Sequence, residues 1–213
     1  WGYGSAEVAA AKSVIEVSAD EGVTAAQARK NPALWLLIIM AGFFVVAAGM
    51  MQQFSSYAST GALGAAVGAL GVTVCMIGQL FGKFGLGWLC DHTGARISGV
   101  VASIFGALGI AIVLFSVDSA MMFYVGVFLF GIGFAALNIV PPMACRQAFG
   151  QKDYANIFSM VATGLNVFSG FSAIIYAQIF DITGSFAGCF WLIIGFYVVT
   201  LICSLVIVPM GRR

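Results

Sequence analysis

Charge is scarce in this sequence. Lysine, arginine, aspartate and glutamate make up only 8% of its 213 residues, and His92 is its single histidine. Soluble domains carry about 25% charged residues, so an ordinary water-soluble domain is excluded. The 62% hydrophobic content belongs instead to a polytopic membrane protein. A net charge of +1 offers no surface suited to nucleic acid or to an acidic partner. Cysteine pairs are missing too. Cys75, Cys90, Cys145, Cys189 and Cys203 show no C-x-x-C spacing and read as reduced small hydrophobes, not as a disulfide or metal framework. The first 31 residues lack a charged segment followed by an apolar core, so no signal peptide is expected. Trp1 stands where a start methionine would, and the leading residues read as a connector inside a longer protein.

What the sequence does have is long apolar runs. Crossing a hydrocarbon layer of ~30 Å takes about 20 residues of helix. Six stretches qualify: 33–54, 65–89, 97–117, 121–144, 154–180 and 186–208. The expected fold is all-α, a polytopic membrane protein with a leading segment (1–32) and a six-helix transmembrane domain (33–213). The nine basic residues sort by side. Lys12, Arg29 and Lys30 lie in the leader, Lys83 and Arg96 around the second connection, Arg146 and Lys152 in the fourth, and Arg212 and Arg213 in the tail. The alternate connections 55–64, 118–120 and 181–185 hold none. The bias of Lys and Arg towards the inside then predicts cytoplasmic termini in the plasma (cell inner) membrane. Thr24 and Gln27 have capping-box spacing, which predicts a short helix reaching Lys30. Pro32 suits the first position of the helix that follows.

Catalytic readings fail for want of partners. Ser172 has no histidine at its depth, because His92 belongs to a loop at the membrane face. Cys90, Asp91 and His92 are consecutive, so their side chains splay apart where zinc needs three or four converging ligands. Gly78-Gln-Leu-Phe-Gly82-Lys83 has three residues between its glycines where a phosphate-binding loop has four, and Phe84 replaces the hydroxyl that would hold magnesium. No enzyme activity and no cofactor are expected, and any solute movement would draw on gradients.

Polarity is distributed unevenly over the spans. The third and sixth carry only scattered Ser and Thr, as expected for helices facing lipid. The fifth carries Ser159, Thr163, Asn166 and Gly170 on one helical face. Such a stripe either packs a neighbour closely or lines a wet cavity, and the mid-span position of Asn166 favours the cavity. Pro141-Pro142 should stop the fourth helix, or hinge it, near its cytoplasmic end. Gly64-x-x-x-Gly68 and Gly78-x-x-x-Gly82 suit internal packing or association equally.

The turn after the second span reads Gly87-Trp-Leu-Cys-Asp91-His92-Thr-Gly94-Ala-Arg96. This G-x-x-x-D-x-x-G-x-R spacing resembles the loop signature of the major facilitator superfamily. Ala26-Gln-Ala-Arg-Lys-Asn-Pro-Ala-Leu-Trp35 resembles the lead-in to the seventh helix of that superfamily's oxalate/formate antiporter-like and monocarboxylate porter branches. Phe149-Gly150-Gln151-Lys152-Asp153-Tyr154 and Phe180-Asp181-Ile182-Thr183-Gly184-Ser185-Phe186 resemble the segments flanking their eleventh helix.

The resemblance covers almost the whole chain and implies the C-terminal six-helix half of a transporter. That half is built as two inverted three-helix repeats, 33–117 and 121–208, an arrangement known for this superfamily. It also implies a missing N-terminal half as partner, a small-molecule substrate, a possible coupling proton, and transport by rocking of the two halves. Gly87, Asp91, Gly94 and Arg96 then form a gate motif. Asp91 is either a solvated turn residue and helix cap or the carboxylate that bonds helix N-termini of the other half. His92 stands where the pattern has a fixed positive charge, and a histidine's charge is conditional near neutral pH.

Substrate-cavity candidates by the same analogy are Gln52, Gln53, Gln79, Asn138, Thr163 and Asn166. Gln52, Gln53 and Tyr57 are equally suited to an interfacial role at the outer end. Lys83 lies about 12 Å of helix before Asp91, where it either snorkels in support of the gate or reaches substrate. The fifth span has no basic residue, so oxalate is disfavoured, and a monocarboxylate or other organic anion fits if the other half supplies a cation. The competing class is a self-contained six-helix channel or a non-transporting scaffold pairing with itself.

Overall fold

The computed structural model describes residues 22–61, 63–116 and 119–211. Among them are seven helices: α1 (Ala25–Ala28), α2 (Pro32–Thr60), α3 (Ala65–Thr93), α4 (Ala95–Leu114), α5 (Ala120–Phe149), α6 (Tyr154–Thr183) and α7 (Ala187–Gly211). Six of these, α2 to α7, are long and apolar enough to cross a membrane. The protein is an all-α polytopic membrane protein.

Local chemistry explains the helix ends. Gln27 accepts from the Thr24 N–H at 3.1 Å, as its spacing predicts. The short helix nevertheless stops at Ala28, because the N–H groups of Lys30 and Asn31 bond back only three residues and tighten a turn. The Asn31 side chain then accepts from Ala33 N–H at 3.0 Å, with Pro32 at the first position of α2. α2 runs six residues past its expected end, its last turn held by the hydroxyls of Ser59 and Thr60 bonding to Ser56 O.

The helices alternate in direction, so Arg29, Lys30, Arg96, Arg146 and Lys152 gather at one end of the bundle. We call this the basic end. Lys12, Arg212 and Arg213 lie outside the described residues. At the far end Tyr57 packs on Phe123, Phe186 and Phe190.

α5 packs chiefly on α3 and α4, α2 on α6 and α7, and α4 on α7. Exchanging α2 with α5, α3 with α6 and α4 with α7 maps this pattern onto itself, and exchanged helices run in opposite directions. The α3–α5 seam depends on small residues. A Cβ on Gly78 would overlap the Phe128 carbonyl oxygen, and one on Gly82 would lie 2.8 Å from Ile132 Cα. Gly78-x-x-x-Gly82 is therefore an internal packing motif. Gly68 does the same against Ser55 and Ala58 of α2.

Two expectations fail here. Pro141 and Pro142 do not stop their helix, since α5 continues through both to Phe149. The missing N–H groups leave the carbonyls of Leu137 and Asn138 without their usual donors. α5 is held by α3 and α4 over its length, and packed membrane helices tolerate such breaks. The third and sixth spans (α4 and α7) do not simply face lipid. Ser98, Ser103, Thr200 and Ser204 are buried, and Ser103 Oγ lies 3.0 Å from Thr200 Oγ1 across the α4–α7 contact. The hydroxyls turn inward, and Ile104, Leu108, Trp191 and Val198 are the exposed faces.

Candidate functional site

α3 continues through Asp91 to Thr93, and Gly94 makes the turn with φ +87°. Its N–H bonds Cys90 O at 2.8 Å. The positive φ favours glycine at this position. α4 starts at the next residue, with its Ala95 N–H capped by Gln147 Oε1 of α5 at 3.1 Å. Cys90 is buried in the helix packing, whereas Asp91, His92 and Arg96 are exposed. Neither Asp91 nor Arg96 has a hydrogen-bond or ion-pair partner among the described residues. His92 Nδ1 lies 2.8 Å from Trp88 O. A carbonyl oxygen can only accept, so Nδ1 is the donor. A Cβ on Gly87 would meet nothing within 4 Å, so the close approach its lack of a side chain permits is not used among the described residues.

α6 packs through Ile157, Val161 and Tyr176, which are buried. Ser159, Thr163, Asn166 and Gly170 are all exposed, and at 3.6 residues per turn they fall on roughly the opposite side of the helix. The stripe therefore faces away from the core formed by the described residues. Ser159 Oγ bonds Asn156 O at 2.7 Å and Thr163 Oγ1 bonds Ser159 O at 2.8 Å, so both hydroxyls are satisfied by their own helix. The Asn166 carboxamide has no partner among the described residues. Lys83 on α3 is likewise exposed and without a partner among them, and Gln79, one turn earlier, is half-buried.

The other candidates are scattered. Asn138 and Gln52 are exposed on α5 and α2. Gln53 lines a recess of about 280 Å³ at the far end with Ser56, Thr60, Tyr176 and Asp181. Thr163 lines a different recess, between α2 and α6. Among the described residues no three His, Cys, Asp or Glu side chains come together as a metal site would require.

One feature of the basic end has no local sequence signal. The segment before α1 is fastened to the α5–α6 turn. Gly22 bridges Gly150, Val23 N–H bonds Phe149 O at 2.9 Å, and Ala25 N–H bonds Asp153 Oδ2 at 2.8 Å. Asn156 Nδ2 holds the other Asp153 oxygen at 2.8 Å. These bonds, from Ala25 first and then from Asn156, hold the Asp153 carboxyl below its ordinary range. Next to this clasp Arg146 reaches Gln151, with Nη2 and Nε at 2.7 and 3.2 Å from the amide oxygen once that amide is oriented to accept.

No protein-family model matches the chain, and no curated protein matches it.

Proposed function

We propose that this chain is one six-helix half of a secondary active transporter of the major facilitator kind, moving a small solute by alternating access. The observation that carries the reading is Asn166 near the middle of α6, exposed and without a partner among the described residues. An amide left unsatisfied against hydrocarbon costs free energy. The face bearing it must therefore meet water or a polar protein surface. Lys83 on α3 adds a charge at the other edge of the bundle, which either snorkels to the basic end or faces the same polar space. α3 and α6 are also the two least buried spans, as expected of helices that face a second half. The exchange pattern of the helices supports the inverted repeats that this architecture uses.

In this reading the basic end is cytoplasmic. Asp91 and Gly87 meet helix N-termini of the absent half and close that side. The substrate class that fits best is a monocarboxylate or another small organic anion, with cationic partners supplied largely by the other half.

Accessibility from water tests the cavity. In a cysteine-free background of the full-length protein, single cysteines at Ser159 and Asn166 should react with a membrane-impermeant maleimide. Cysteines at Val198 and Ile202 of α7 should not. Protection of 159 and 166 would overturn the cavity. The same protection with a self-crosslink between copies at 166 would favour the paired scaffold.

A further inference from the structure

Near the basic end α2 and α6 part to leave a groove of about 510 Å³, lined by Leu34, Trp35, Ile38, Val167 and Phe168, with Arg29 at its mouth. The volume is that of a small-molecule site, and the walls are apolar apart from Arg29 and the self-bonded Thr163. The groove is lined from Arg29 to Ile38 on one side and from Met160 to Phe168 on the other. That length is about 13 Å of helix, close to one leaflet of the hydrocarbon layer. The indole of Trp35 is 59% exposed, and its Nε1–H donates to the Arg29 carbonyl at 3.2 Å. This bond fixes an interfacial ring beside an exposed guanidinium, with Lys30 next in sequence. By helical spacing the groove wall on α6 lies about 100° around from the Asn166 stripe. Of that stripe only Thr163 also borders the groove, so an occupant leaves Asn166 clear and the inference does not rest on transport.

We propose that this groove seats an acyl chain of an anionic phospholipid from the leaflet at the basic end, with its phosphate on Arg29. Basic pockets between membrane helices recognise headgroups in this way. The apolar walls accept any lipid chain, and Arg29 supplies the preference for negative charge.

The test uses the full-length protein with Trp35 as its only tryptophan, reconstituted in mixed phosphatidylglycerol and phosphatidylcholine vesicles. Fluorescence quenching is compared with bromine on one lipid or on the other, at equal bromine content. Brominated phosphatidylglycerol should be enriched about fivefold at Trp35, which is what one basic residue near a headgroup contributes. Arg29→Gln should abolish the preference while keeping the quenching by phosphatidylcholine. Val167→Phe, which narrows the groove, should lower quenching by both. Equal quenching by the two lipids, or a preference that survives Arg29→Gln, would overturn the proposal. So would a Trp35 that neither lipid quenches, the result expected if a helix of another polypeptide segment fills the groove.

Discussion

Asp91 and Arg96 are both placed against the interests of their own helices. Asp91 sits in the last turn of α3, where the peptide dipoles present negative charge, and Arg96 in the first turn of α4, where they present positive. Each placement costs on the order of 0.3–1 kcal/mol, and neither residue recovers it through a partner among the described residues. Local stability therefore does not explain them. Asp91→Asn is expected to leave the thermal stability of the detergent-solubilised full-length protein unchanged or slightly raised, while slowing uptake. A lowered melting temperature with normal uptake would make Asp91 a structural cap.

Asp153 has the reverse logic, because its carboxylate is used. A folded-state pKa below the unfolded value stabilises above the unfolded pKa, and the effect is lost as pH falls through the folded one. Hydrogen exchange at Ala25 should thus be slower in the wild type than in Asp153→Ala at neutral pH. The gap should close only below the ordinary carboxylate range. Persistence of the gap in strong acid would show that another group holds the connector. The turn at Gly94 was legible from its sequence because its chemistry is local. The Gln147 cap and the Asp153 clasp were not, since their partners lie 52 and 128 residues away.

At the scale of the element, all six spans were legible from length and hydropathy, and the errors came from residues whose meaning depends on neighbours. Pro141-Pro142 signals a stop in an isolated helix, yet α5 is clamped on two sides and passes through both. Ser98, Ser103, Thr200 and Ser204 look innocuous for lipid contact in sequence, but they are buried between helices. Glycines are ambiguous in the same way. Gly78 proves to be a contact with backbone and not with a movable side chain. Gly78→Val therefore forces α3 and α5 apart, and overpacking of this kind costs about 1–3 kcal/mol. The expected result is a clear drop in melting temperature in detergent. Gly85→Val, on the same helix with open space around its would-be Cβ, should melt like the wild type. Equal melting of the two variants would show that the α3–α5 seam is loose.

At the scale of the whole molecule, the uneven burial of the helices supports the proposed function. α6, whose most apolar window is 17% buried, and α3, at 28%, stand well below α2 at 56%. These two helices also hold Asn166 and Lys83, polar groups that hydrocarbon does not accommodate. A bundle complete in itself would turn such residues inward, as α4 and α7 turn their hydroxyls. This chain instead leaves them on the edges related by the exchange of its two three-helix sets. A second body facing those edges resolves the conflict, and a transport path between two bodies gives the polar groups a use. Residues 33–213 produced alone should then insert into vesicles yet show no carboxylate counterflow. Co-production with the proposed second half should restore the counterflow. Flux through the isolated six helices would identify a self-contained channel and remove the need for a second half.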